Sequence, residues 1–88
     1  MDLKNKVAYI TGGSKGIGYG TAKKLLAEGM NVAISGRTLK TVQEAAARLG
    51  YKDQVLALES DVTKLVDEQK AVEAILKKWG QLDVVLAN

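Results

Sequence analysis

From Thr11 to Gly18 the chain reads Thr-Gly-Gly-Ser-Lys-Gly-Ile-Gly, with glycine at positions 12, 13, 16 and 18. Glycines admit backbone angles closed to other residues and let a ligand approach the main chain with no Cβ in the way. A helix-like segment begins here, and the start of a helix offers unpaired N–H groups and the positive end of a dipole. That combination suits a diphosphate. The spacing excludes two well-defined phosphate loops. Gly-x-Gly-x-x-Gly fails because Thr21 stands where the third glycine belongs, and the P-loop fails because no Gly-Lys-Ser/Thr occurs. ATP or GTP hydrolysis therefore has no support.

Few other residues suggest chemistry. Cysteine and histidine are absent, so there is no thiolate chemistry, no disulfide framework and no imidazole ligand for a metal. Tyr19 and Lys23 have Tyr-x-x-x-Lys spacing. They fall on the first turns of the helix that follows the glycines, which marks them as a surface pair. Paired carboxylates and other nucleophile constellations are absent.

These residues are positioned by an alternating pattern. Apolar runs at Val7 to Ile10, Asn31 to Ser35, Val55 to Leu58 and Leu82 to Leu86 are nearly continuous, as in strands of a parallel sheet covered on both faces. Ile17, Thr21 and Leu25, with Ala22 and Leu26, predict a first helix, and Val42, Ala45, Ala46 and Leu49 a second. Val72, Ile75, Leu76 and Trp79 predict a third, with Thr63 as its cap. Gly29, Gly50 and Gly80 close the three helices. The order β-α-β-α-β-α-β with right-handed crossovers predicts a partial, doubly wound α/β fold of Rossmann type. The expected strand order is 3-2-1-4, with two helices on one face and the third on the other. Ligands of such sheets bind at the switch point above strands 1 and 4, where the glycine turn falls.

Composition sets the outer bounds. Eighty-eight residues at 47% apolar and 26% charged give one small globular unit. No apolar run approaches the roughly 20 residues that span a bilayer, and the start lacks the apolar core of a secretory signal. A cytoplasmic location is the expectation. The net charge of +3 comes from scattered lysines, so nucleic acid is not an expected partner.

The motif Thr-Gly-x-x-x-Gly-x-Gly, between a strand and a helix, resembles the short-chain dehydrogenase/reductase family in its classical form. Two further stretches match at the right intervals. Asp61-Val62 resembles the family's acid–apolar pair that contacts adenine, although Asp61 alone equally suits a helix start. Leu86-Ala87-Asn88 resembles the approach to Asn-Asn-Ala-Gly, with Asn88 on the second Asn and Ala87 departing from the first. The resemblance implies that residues 1–88 are the amino-terminal part of one NAD(P)-binding domain. It also implies an oxidoreductase that moves hydride, on the pro-S face, between a nicotinamide and a small carbonyl or alcohol substrate. The family's catalytic Ser, Tyr and Lys lie further along than Asn88, so the 88-residue chain alone is expected to be inactive.

The end of the second strand bears on the cofactor. Members that prefer NAD carry an acid there for the ribose 2′-hydroxyl. Here the residues are Ser35-Gly36-Arg37-Thr38. Arg37 suits a bidentate clamp on a 2′-phosphate, and Lys15 adds charge before the second motif glycine. Read singly, each is also an ordinary surface cation. Together, with the acid absent, they favour NADP over NAD. The expected cofactor-binding set is Gly12, Ser14, Lys15, Gly16, Ile17, Gly18, Arg37, Asp61, Val62 and Asn88, with no catalytic residue and no metal. The alternative is a non-catalytic nucleotide-binding or sensor module. The fourth strand would be an apolar edge in the isolated chain, which predicts a marginal, dimeric or strand-swapped state. A homo-oligomer is the expectation for the parent protein.

Overall fold

A computed structural model describes residues 2–88. The elements are β1 (Val7–Thr11), α1 (Gly16–Ala27), β2 (Asn31–Gly36), α2 (Leu39–Leu49), β3 (Val55–Glu59), α3 (Leu65–Trp79) and β4 (Val84–Ala87), with a 3-10 turn at Lys52–Gln54. The four strands form one parallel sheet in the order β3-β2-β1-β4. The partial Rossmann fold expected from the sequence is present, with its strand order.

The sheet divides two cores by the alternation of side chains along each strand. Ala8, Ile10, Val32 and Ile34 face α1 and α2, where Ala22, Leu26, Val42, Ala45 and Leu49 cover them. Val7, Tyr9 and Ala33 face the other way and pack on Ala71 and Ile75 of α3. β1 and the body of β2 are buried on both faces because helices lie on each side. Register sets the strand ends level. Thr11 pairs with Ser35 on one side and Ala87 on the other, so the carboxyl ends of β1, β2 and β4 open onto one rim.

The glycine stops act in the way the sequence implies. Gly80 is left-handed at φ 74° and its N–H closes α3 on the Leu76 carbonyl at 2.7 Å.

Four expectations are corrected. Thr63 does not cap α3. The helix starts after Lys64, and the Thr63 hydroxyl instead donates to Asp61 Oδ1 at 2.6 Å. Ile17 does not join the stripe of α1 but stands 83% exposed at the helix start. On α3 the buried positions are Ala71 and Ile75, while Leu76 is exposed, because the helix presents its i, i+4 row to the sheet. The fourth strand begins at Val84, and Leu82 tucks under the second core before it. β4 lies at the sheet edge with Val84, Val85 and Leu86 exposed. None of the helices described is long and apolar enough to cross a membrane.

Candidate functional site

The carboxyl ends of the strands and the helix starts that follow them enclose a cleft of about 370 Å³. The glycine turn supplies Gly12, Ser14 and Lys15. The β2–α2 junction supplies Gly36, Arg37, Thr38, Thr41 and Val42. Ser60 and Val62 come from the loop after β3, and Asn88 from the end of β4. Six of the residues singled out in the sequence therefore line one cleft: Gly12, Ser14, Lys15, Arg37, Val62 and Asn88. Gly16, Ile17, Gly18 and Asp61 are not in that lining. They flank it, on the first turn of α1 and beside Val62.

The turn is shaped by what glycine alone permits. Gly12 sits at φ +69° and Gly16 at +63°, in the left-handed region that strains other residues. Gly18 serves close approach instead. A Cβ there would stand 2.8 Å from Asn88 Nδ2 and 2.9 Å from the Gly12 carbonyl oxygen. With hydrogen in its place, α1 seats directly over the end of the sheet. The helix has no side-chain cap and no acid in its first turn. Its first N–H groups, without carbonyls inside the helix, carry the positive end of the dipole to the cleft.

Asn88 locks this arrangement. Its side-chain amide donates to the Gly12 carbonyl at 3.0 Å, and its backbone N–H donates to Thr11 Oγ1 at 3.2 Å. The last residue of the segment thus ties the end of β4 to the glycine turn. Sequence reasoning missed the acceptor, Thr11. The expected set also left out Gly36, Thr38, Thr41, Val42 and Ser60 of the lining. A usable signal was Gly36 directly before Arg37: a Cβ there would press to 2.9 Å on Val42 Cγ2, so the turn into α2 is packed tight.

At the opposite wall Asp61 is held by Thr63. Oδ1 accepts the Thr63 hydroxyl at 2.6 Å and its backbone N–H at 2.9 Å. Those two bonds hold the Asp61 carboxyl below its usual range, and the nearby charges of Lys64 and Arg37 push the same way. Asp61 is ionised at neutral pH, with Oδ2 left over as an acceptor. Its own backbone N–H donates to Asp67 Oδ2 at 3.0 Å, so the loop is fastened to the start of α3. Asp61 closes a local turn and does not cap the helix. Val62 is largely exposed at the rim.

The Tyr19–Lys23 pair lies away from this cleft. Arg48 of α2 stacks over the Tyr19 ring at 5.2 Å from its centroid, and the ring packs against the first core between the two helices. No group of three or more acids capable of holding a metal occurs among the described residues.

Comparison with known proteins matches residues 6–88 to the short chain dehydrogenase family. This chain belongs to that family. It is 41% identical over 86 residues to an oxidoreductase of Sarocladium schorii, covering 98% of this chain and 34% of that protein. It is 38% identical over 88 residues to the cis-2,3-dihydrobiphenyl-2,3-diol dehydrogenase of Pseudomonas sp. strain KKS102, covering all of this chain and 31% of that one. Among solved structures, a short chain dehydrogenase from Bacillus anthracis superposes at TM-score 0.94 with 38% identity, over 100% of this chain and 36% of that chain. A 3-ketoacyl-(acyl-carrier-protein) reductase from Brucella melitensis, complexed with NADH, superposes at TM-score 0.87 with 38% identity, over 94% and 34% of the two chains. The chain spans about a third of the length of these relatives.

Proposed function

We propose that this chain is the cofactor-holding part of an NADP-dependent short-chain oxidoreductase acting on a small carbonyl or alcohol. The observation that carries the cofactor choice is the cleft's charge pattern. Lys15 and Arg37 both line it, and the β2 end, Ser35-Gly36-Arg37-Thr38, has no acid. A carboxylate at that corner would repel a 2′-phosphate, whereas a guanidinium binds one by two parallel hydrogen bonds.

The residues fit a dinucleotide. The glycine turn offers main-chain N–H groups from Gly12 to Gly18, with Ser14 between them, and a Cβ built at Gly16 meets no protein atom within 4 Å, so that side of the turn is open to a ligand. These residues would hold the diphosphate, with Ile17 an exposed apolar contact beside it. Arg37 and Lys15 would hold the 2′-phosphate. Asp61 Oδ2 would accept from the adenine amine, with Val62 against the ring, and Asn88 keeps the turn in place. When bound, the nicotinamide supplies or accepts a hydride at the substrate carbon. The family's proton-donating Tyr and its Lys and Ser partners are assigned to chain beyond this segment, so residues 1–88 contribute binding and orientation only.

The test is the ratio of NADPH to NADH affinity by fluorescence titration, before and after Arg37→Asp. Loss of a charge-assisted bond and gain of a repulsion weaken NADPH by about 10- to 100-fold, equivalent to about 1.5–3 kcal/mol. An unchanged ratio refutes the assignment.

A further inference from the structure

The strand residues of the first core are apolar, but the second core carries a chain of polar groups at its cleft end. Tyr9 of β1, Ser35 of β2 and Ser60 after β3 are each no more than 1% exposed. The Tyr9 hydroxyl lies 3.0 Å from Ser35 Oγ and 3.1 Å from Glu68 Oε1, and the Ser60 hydroxyl donates to the same Glu68 oxygen at 2.7 Å. Each hydroxyl has one proton, which fixes the direction: Ser35 donates to Tyr9, Tyr9 donates to Glu68, and Ser60 donates to Glu68. One α3 carboxylate therefore gathers Tyr9 of β1 and Ser60 after β3, and through Tyr9 reaches Ser35 of β2. Burial raises the pKa of the Tyr9 phenol, as does the charge of Glu68, so it remains a donor.

Glu68 itself is only partly buried, and hydrogen bonds formed at the expense of bonds to water add modest net stability. Satisfied polar networks do fix a single local geometry. The location shows which geometry. Ser60 immediately precedes Asp61 and Val62, and its backbone N–H donates to the Gly36 carbonyl at 2.9 Å, next to Arg37. Ser35 lies on the other side of Gly36. The chain thus runs from the β2 corner to the loop after β3, beneath the two walls of one cleft.

Building on the cofactor reading above, we propose that Glu68 and Tyr9 are positioning residues for the adenosine side of the cleft. They act through Ser60 to hold the Ser60–Thr63 loop at a fixed distance from Arg37. Neither side chain lines the cleft. Their effect is on the half of the ligand that the loop and Arg37 would grip together.

The experiment compares the wild-type protein with Tyr9→Phe/Glu68→Leu, which removes the carboxylate together with the phenol that donates to it, and with Glu68→Gln, which keeps an acceptor for both donors. Binding of NADPH, adenosine 2′,5′-bisphosphate and nicotinamide mononucleotide is titrated, and hydrogen exchange is followed at the Asp61–Thr63 amides. The paired variant is expected to stay folded with a lower unfolding midpoint, because the buried Ser35 and Ser60 hydroxyls lose their partners, and to lose about tenfold in affinity for the adenosine bisphosphate, the effect of one hydrogen bond to a charged group. Its loop amides exchange faster, nicotinamide mononucleotide binds as before, and Glu68→Gln stays near wild type. A folded paired variant that binds the adenosine bisphosphate as wild type does overturns the proposal, as does a loss spread equally over both half-ligands. A wild-type protein with no affinity for the adenosine bisphosphate brings down the cofactor reading itself, a result distinct from either.

Discussion

Two glycines of α1 make opposite predictions. Gly18 and Gly20 lie in the same helix, two residues apart. A Cβ at position 20 meets nothing within 4 Å, so Gly20→Ala gains helix propensity and should stabilise by about 0.5–1 kcal/mol. At position 18 the same methyl gains the same propensity but meets Asn88 Nδ2 at 2.8 Å and the Gly12 carbonyl at 2.9 Å. Asn88 is a side-chain tip and can swing aside only by giving up its 3.0 Å bond to Gly12, which contributes about 0.5–1.5 kcal/mol. The Gly12 carbonyl is main chain in the turn itself, so the helix or the turn must also shift. Such overpacking costs about 1–3 kcal/mol. Clash and lost bond together exceed the propensity gain, and Gly18→Ala should destabilise by about 1–2 kcal/mol. The two variants are then separated by about 1.5–3 kcal/mol in urea unfolding, with the curve slopes unchanged. Cofactor titration should follow the same split: NADPH affinity falls in Gly18→Ala and is retained in Gly20→Ala. A Gly18→Ala protein as stable as Gly20→Ala would refute the idea that α1 sits against the strand ends through position 18.

Ile75 is the largest fully buried side chain that α3 contributes to the second core. Ile75→Ala should cost about 2–5 kcal/mol by denaturant unfolding, whereas Leu76→Ala, on the exposed side, should stay within about 1 kcal/mol. Asp83 predicts an acid dependence. Its carboxylate accepts the Val7 N–H at 2.8 Å and the Gln81 amide at 2.8 Å, and these bonds, the first foremost, hold its pKa below the usual 3.8. A carboxyl held low in the folded state adds stability above its unfolded pKa, and that stability is lost as pH falls through the lowered value. Asp83→Asn keeps an acceptor for Val7 but cannot titrate. It should flatten the loss of stability below about pH 4, and an acid limb identical to wild type would count against the Val7 link.

What the sequence made legible follows from where the physics is local. The strand order needed only the alternation of elements and the handedness of crossovers, and both are properties of short stretches. The glycine turn was legible for the same reason, since its spacing and its place between strand and helix are contiguous. The errors arose where a side chain had two uses and tertiary geometry chose between them. Thr63 has the composition of a cap, but Asp61 two residues earlier is a charged acceptor within reach of both its hydroxyl and its N–H, and that turn wins. Ile17 continues an apolar period, yet the first turn of α1 projects past the end of the sheet, where no strand remains to cover it. The Tyr9–Glu68–Ser60 chain left no trace, because its members are separated by 59 and 8 positions and each reads as a strand residue, a helix-surface acid or a loop serine. Glu68 falls in the acidic first turn of α3, where the helix dipole alone accounts for a carboxylate. Only the fold reveals that this carboxylate turns inward to meet two buried hydroxyls. Periodicity and motif spacing could not register that contact, because it joins three segments that only the sheet brings together.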